Sequence, residues 1–208
     1  MSRRISLAFL ALMLAVPLGL SAQLQVRSQG STEANDPDDV PDVTVTEMGS
    51  SFTVGTGPAA LVWDVGNTAD GEYNLKGTFT LLEPSSHRNY YGLIFGGGGL
   101  ESSSQNYLYF LIAQDGSFLL KHRANDEAVH DIVGRTAHDA VNTPGDDGMS
   151  VNELEVRVGG DDLTLLVNGT VVHTQPKSGM AGRTNGIYGV RVNHVIPGVK
   201  VDGLGVSR

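Results

Sequence analysis

Tyrosines and basic side chains at alternating positions carry the most specific chemistry in this sequence. Tyr107 and Tyr109 alternate with Leu108, Phe110 and Ile112. The second set is the more continuous apolar one and is expected to face a core, which turns the two tyrosines outward. Tyr90 stands in the same relation to Tyr91, Leu93 and Phe95. In the next segment Phe118 and Leu120 read as core, with His122 inward or at the rim and Lys121 and Arg123 outward. Arg191 is set against Tyr188, Val190 and Val192. A sugar ring needs an aromatic plane for its apolar face and polar groups for its hydroxyls. Tyr90, Tyr107, Tyr109, Lys121, Arg123 and Arg191 therefore form the candidate ligand-binding surface. The competing reading is structural: tyrosines that cover a sheet face, and an Arg191 that pairs with Glu153 or Glu155.

Catalytic signals are sparser. A glycosidase needs two carboxyl groups about 5 to 10 Å apart. Glu153 and Glu155 share one strand face, but Arg157 continues that face and an ordinary charged exterior accounts for all three. There is no Gly-x-Ser-x-Gly elbow, and with no cysteine there is no thiol nucleophile. His194 can act as an acid/base near neutral pH, or cap a loop ahead of Pro197-Gly198. It is the catalytic candidate only if the chain is an enzyme. His130-Asp131 and His138-Asp139 invite a metal reading, yet their spacing does not fix the convergence that zinc needs, so no metal ligands are assigned. Asp36-Pro37-Asp38-Asp39 lacks the spacing of a calcium loop and reads as a solvated acidic linker. Gly96 to Gly99 have no following lysine and serine or threonine pair, and read as a flexible connection rather than a phosphate cradle.

The bulk properties narrow the partners. Net charge is −9, with 23 acidic and 14 basic residues. So acidic a surface excludes nucleic acid, which requires clustered Lys and Arg. Arg3 and Arg4 precede an apolar run ending near Pro17 to Ala22, the pattern of an export signal over residues 1–22. Cleavage there leaves a protein expected in the periplasm or outside the cell, with no membrane insertion. With zero cysteines, stability must come from one buried core rather than from disulfides.

The elements that position these residues are strands. Residues 23–42 are polar and are expected to form a disordered linker, followed by one domain over 43–208. Leu154, Val156 and Val158 alternate with Glu153, Glu155 and Arg157, a half-buried strand. Asn168-Gly169 between two apolar runs predicts a type I′ hairpin, and Asp115-Gly116 predicts another turn. Residues 124–148 are broken by glycine and proline and read as a loop, with a short strand at 129–133. The result is an all-β chain, a two-sheet antiparallel β-sandwich.

The order strand, Leu-Val-Asn-Gly hairpin (166–169), polar loop, Gly-Ile-Tyr-Gly-Val-Arg-Val strand (186–192) and valine-rich final strand resembles laminin-G-like, concanavalin A-like jelly rolls. The resemblance is closest to the exported bacterial family that includes proteins assigned as 3-keto-disaccharide hydrolases, and it extends upstream through residues 71–84 and 89–97. It implies a jelly roll whose outer sheet face takes carbohydrate or a cell-surface polymer, with no required cofactor and, as in some relatives, a structural calcium ion. It also implies two alternatives to a binding module: a hydrolase of 3-keto-disaccharides using His194, and a structural envelope protein without a small ligand.

Overall fold

The computed structural model describes residues 24–30 and 37–208. The expected signal segment and residues 31–36 lie outside the described residues. Fourteen strands are found there: β1 (Leu24–Gln29), β2 (Thr44–Met48), β3 (Ser51–Thr56), β4 (Ala59–Ala69), β5 (Tyr73–Leu81), β6 (Tyr90–Gly98), β7 (Asn106–Ala113), β8 (Ser117–Arg123), β9 (Val129–Ala137), β10 (Ser150–Val158), β11 (Asp162–Val167), β12 (Thr170–Pro176), β13 (Gly186–Val192) and β14 (Ile196–Ser207). They pair antiparallel in two seven-stranded sheets. The first runs β1-β4-β13-β6-β7-β8-β9 and the second β12-β11-β10-β5-β14-β3-β2. Single-turn 3-10 helices at Pro37–Asp39 and Gly179–Gly182 are the helical pieces among the described residues. The expected antiparallel β-sandwich is the architecture found.

Alternation decides which side chains meet between the sheets. Tyr91, Leu93 and Phe95 of β6, Leu108, Phe110 and Ile112 of β7, and Phe118 and Leu120 of β8 face Leu75 and Phe79 of β5 and Leu154 and Val156 of β10 in one buried cluster. Each such side chain contributes about 1.5–3 kcal/mol through its removal from water. Asn168 and Gly169 have φ of 51° and 77°, the positive values a two-residue type I′ turn requires, between β11 and β12.

Three expectations are corrected. Residues 24–29 are not a disordered linker but an edge strand, paired with β4 from Leu24 opposite Asp64 to Gln29 opposite Ala59. Their sequence, LQVRSQ, alternates polar and apolar positions, and Leu24 packs against the main core. The segment read mainly as loop contains the nine-residue β9, the opposite edge of the same sheet. The glycine run is not a flexible connection either, since Gly96, Gly97 and Gly98 lie inside β6. Gly96 sits at φ 62°, where a Cβ atom would lie 2.0 Å from the Arg183 carbonyl oxygen, so glycine permits a close backbone approach.

Candidate functional site

The outer face of the first sheet carries a second apolar cluster. Leu61 and Trp63 of β4, Ile94 of β6, Tyr107, Tyr109 and Leu111 of β7, and Leu119 of β8 pack there. The tyrosines do project away from the space between the sheets, because Leu108 and Phe110 fill that space. Their expected exposure is corrected: Tyr107 is fully buried and Tyr109 retains 6% of its surface. Residues 99–105, between β6 and β7, fold over this face. Leu100 is buried in the same cluster, and Arg27 of β1 donates to the carbonyl oxygens of Leu100 at 3.0 Å and Ser102 at 2.5 Å. A ring with no accessible surface cannot stack on a sugar, so Tyr107 supports the site from beneath.

Tyr107 instead holds an arginine. Arg191 of β13 is 8% exposed, donates from Nη1 to the Tyr107 hydroxyl at 3.0 Å and to Gln29 Oε1, and lies 5.5 Å above the centre of the Tyr109 ring. Burial pushes the Tyr109 phenol up, with the Arg191 charge opposing that rise. The alternative pairing of Arg191 with Glu153 or Glu155 is overturned. Glu153 meets Lys76 and Glu155 meets Arg157, all on the second sheet.

Arg191 opens onto a cavity of about 340 Å³ that is also lined by Arg27, Gln29, Gln105, Arg123 and Asp126. Three guanidinium groups and one carboxylate thus line the same cavity, and of the three only Arg27 binds that carboxylate. Arg27 Nη2 binds both Asp126 oxygens, at 2.8 and 3.0 Å, and Gln105 donates to the same carboxylate. Gln29 Nε2 donates to Gln105 Oε1 at 2.8 Å. Arg123 Nη1 donates to the carbonyl oxygens of Asn125 and Asp126, while its Nε is buried with no partner. A desolvated, unpaired N–H is an energetic cost to the fold.

Of the sequence candidates, Arg123 and Arg191 meet in this cavity. Lys121 does not, being paired with Asp131 of β9 at 2.9 Å. Tyr90 is half-buried, with its hydroxyl 3.1 Å from Ser117 Oγ. Sequence reasoning missed Arg27, Gln29, Gln105 and Asp126. The period-2 pattern of LQVRSQ was the one available signal, since it places Gln25, Arg27 and Gln29 on a common face.

His194 lies elsewhere, between β13 and β14. Its Nε2 is 3.4 Å from Asp38 Oδ2, and His87 Nε2 is 3.9 Å from Asp38 Oδ1. The two imidazoles meet edge to face with centres 5.7 Å apart. Asp38, expected in a solvated linker, is thus brought between two histidines. His130 and His138 do not join each other: His130 stacks on His122, and His138 packs beside Phe118 with its Nδ1 accepting from the Ala140 N–H.

No protein-family model matches the sequence, and no curated protein does. Solved structures do resemble the fold. A carbohydrate-binding module, CBM66, from Bacillus subtilis matches with a TM-score of 0.60 at 12% identity, over 80% of this chain and 92% of the other. A protein of unknown function with a galectin-like fold, also from Bacillus subtilis, matches with a TM-score of 0.60 at 12% identity over 88% of each chain. A Bacteroides ovatus mixed-linkage-glucan GH16 protein in complex with G4G4G3G product matches with a TM-score of 0.58 at 9% identity, over 88% of this chain and 94% of the other. At these identities the likeness is one of fold, a jelly roll of the galectin-like and concanavalin-like kind.

Proposed function

We propose that this chain is a carbohydrate-binding module that takes an acidic sugar unit in the cavity formed by Arg27, Arg123 and Arg191. The observation that carries this reading is that three arginines and a single carboxylate, Asp126, line one cavity in a chain of net charge −9. Guanidinium matches a carboxylate in a paired geometry that water and neutral hydroxyls do not reproduce. Gln29 and Gln105 supply amide groups suited to ring hydroxyls, and the volume suits a single sugar unit, at the lower end of small-molecule sites. The saccharide-binding neighbours of the same architecture favour a sugar over other anions.

The test is calorimetric titration with oligogalacturonate or oligoglucuronate beside the carboxyl-reduced neutral oligosaccharide of equal length. Binding of the acidic form, weakened by salt and absent for the neutral form, is the expected result. Equal affinity for both would remove the arginine cavity as the determinant.

A second reading, hydrolysis of 3-keto-disaccharides through His194, has one specific observation in its favour. The Asp38 carboxylate stands 3.4 Å from His194 Nε2 and supplies the partner that an acid/base histidine needs. Turnover of a 3-keto-disaccharide, lost in His194→Ala, is its requirement.

A further inference from the structure

We propose that Asp38, His87 and His194 form a binding site for a divalent transition-metal ion of the zinc class, independent of the arginine cavity. One donor atom from each lies within 4.8 Å of the others, and the two Asp38 oxygens reach one histidine each, Oδ2 at 3.4 Å from His194 Nε2 and Oδ1 at 3.9 Å from His87 Nε2. Zinc bonds of about 2.0–2.2 Å in a tetrahedron set donor atoms about 3.3–3.6 Å apart. Rotation of the partly exposed histidine side chains has to close the remaining difference, about 1.5 Å at most. The donor set is the second ground. Two imidazoles with one carboxylate suit zinc, whereas calcium takes oxygen ligands.

The backbone beneath the histidines is fixed before any ion arrives. Ser85 and Asn89 are buried between the two histidine loops. Ser85 Oγ donates to the Val195 carbonyl and Asn89 Nδ2 to the His194 carbonyl, so the residues flanking His87 hold those at and after His194. The His87 N–H donates to Ser85 Oγ at 3.1 Å, and the Asn89 N–H to the His87 carbonyl at 3.0 Å. Val195 is β-branched and yet sits at φ 51°, a conformation retained only where surrounding contacts impose it, and its N–H donates to the Gly57 carbonyl at 2.8 Å.

Gly57 in turn brings in the third ligand. A Cβ atom there would lie 1.9 Å from the Pro41 carbonyl oxygen and 2.8 Å from the Val40 backbone, so the chain just after Asp38 is pressed against this glycine. Three separate chain segments are thereby tied at one end of the sandwich with their metal-binding atoms converging. The side chains of His87 and His194 keep 49% and 40% of their surface, which leaves the remaining coordination position open to water or to a hydroxyl of a bound molecule. Sites with three protein ligands and an open position are the kind that act on what binds there, rather than the closed four-ligand kind that only staple a fold.

The decisive experiment titrates zinc chloride into the metal-free protein by calorimetry and repeats the titration with cobalt(II) while recording visible absorption. The expected result is one equivalent bound, with intense cobalt bands of four-coordinate geometry and no displacement by excess calcium. His87→Ala and His194→Ala each weaken zinc binding more than about 100-fold, and Asp38→Asn more than about 10-fold, because losing a ligand exceeds the loss from removing an outer partner. Circular dichroism and thermal melting of the metal-free variants must match the parent, as expected for partly exposed side chains. Absence of saturable binding would overturn the proposal. So would undiminished binding in the His87→Ala/His194→Ala double variant, which would assign the ion to other histidines.

Discussion

Replacing Arg191 by methionine isolates its charge from its bulk. Methionine keeps an unbranched apolar stem that can lie over the Tyr109 ring, and it removes the guanidinium that binds Tyr107 and Gln29. Two effects on stability oppose each other. The Tyr107 hydroxyl and the Gln29 amide each lose a hydrogen-bond partner, at about 1 kcal/mol apiece, while a buried cation no longer has to be desolvated. The net change in unfolding free energy is expected to stay within about 2 kcal/mol, read from denaturant midpoints. Affinity for an acidic oligosaccharide has no such compensation. A hydrogen bond between charged groups contributes about 1.5–3 kcal/mol, which corresponds to about 10- to 150-fold in Kd. Calorimetry should therefore show at least a tenfold loss for oligogalacturonate, with a folded variant and a flattened salt dependence. A folded Arg191→Met protein whose affinity for the acidic sugar stays within twofold of the parent would refute the role given to this guanidinium.

Other perturbations test the frame around the site. Asp115 is partly buried in the β7–β8 turn; burial alone would raise its pKa, but hydrogen bonds from Ser117 and the charges of Arg135 and Arg88 outweigh it and hold the carboxyl below its usual range. A depressed carboxylate stabilises the fold above its unfolded pKa and loses that contribution as pH falls through the folded one. Asp115→Asn should thus cost about 1–2 kcal/mol at pH 7 and progressively less below pH 4 in denaturant titrations. His122 is buried, and burial first, then the charges of Arg183 and His130, pushes its pKa down. The unfolded chain then binds the proton more readily, so stability is full above the unfolded value near 6.5 and declines on acidification at up to about 1.4 kcal/mol per pH unit. His122→Phe should remove that slope in melts between pH 7 and 5, and an unchanged slope would assign it to other groups. Leu93→Ala, in the fully buried centre of β6, should cost about 3–5 kcal/mol by urea unfolding without altering the sugar preference.

The orientation of side chains was legible because a strand's alternation is local. Leu108 and Phe110 against Tyr107 and Tyr109 identify two faces from four residues, and Asn168-Gly169 identifies its turn from two. Whether a face meets water is not local. Residues 99–105 cover the tyrosines through Leu100, and nothing in GGGGLESSSQ signals that this stretch reaches Arg27, more than seventy residues earlier in the chain. Both clusters follow the same logic. Arg27, Arg123 and Arg191 lie on three strands, and Asp38, His87 and His194 on three connections, so only the strand order makes neighbours of them. Composition also misled at Leu24–Gln29, where a polar average hid a short alternating pattern.

That first strand ties folding quality to recognition. β1 covers the hydrogen-bonding groups of β4, whose opening residues Ala59 to Trp63 are apolar and buried. Proteolytic trimming of those six residues would strip Arg27 and Gln29 from the cavity and, in the same cut, uncover an apolar ladder able to template pairing with another molecule. A clipped population would therefore reveal itself by self-association before it was noticed as a weak binder.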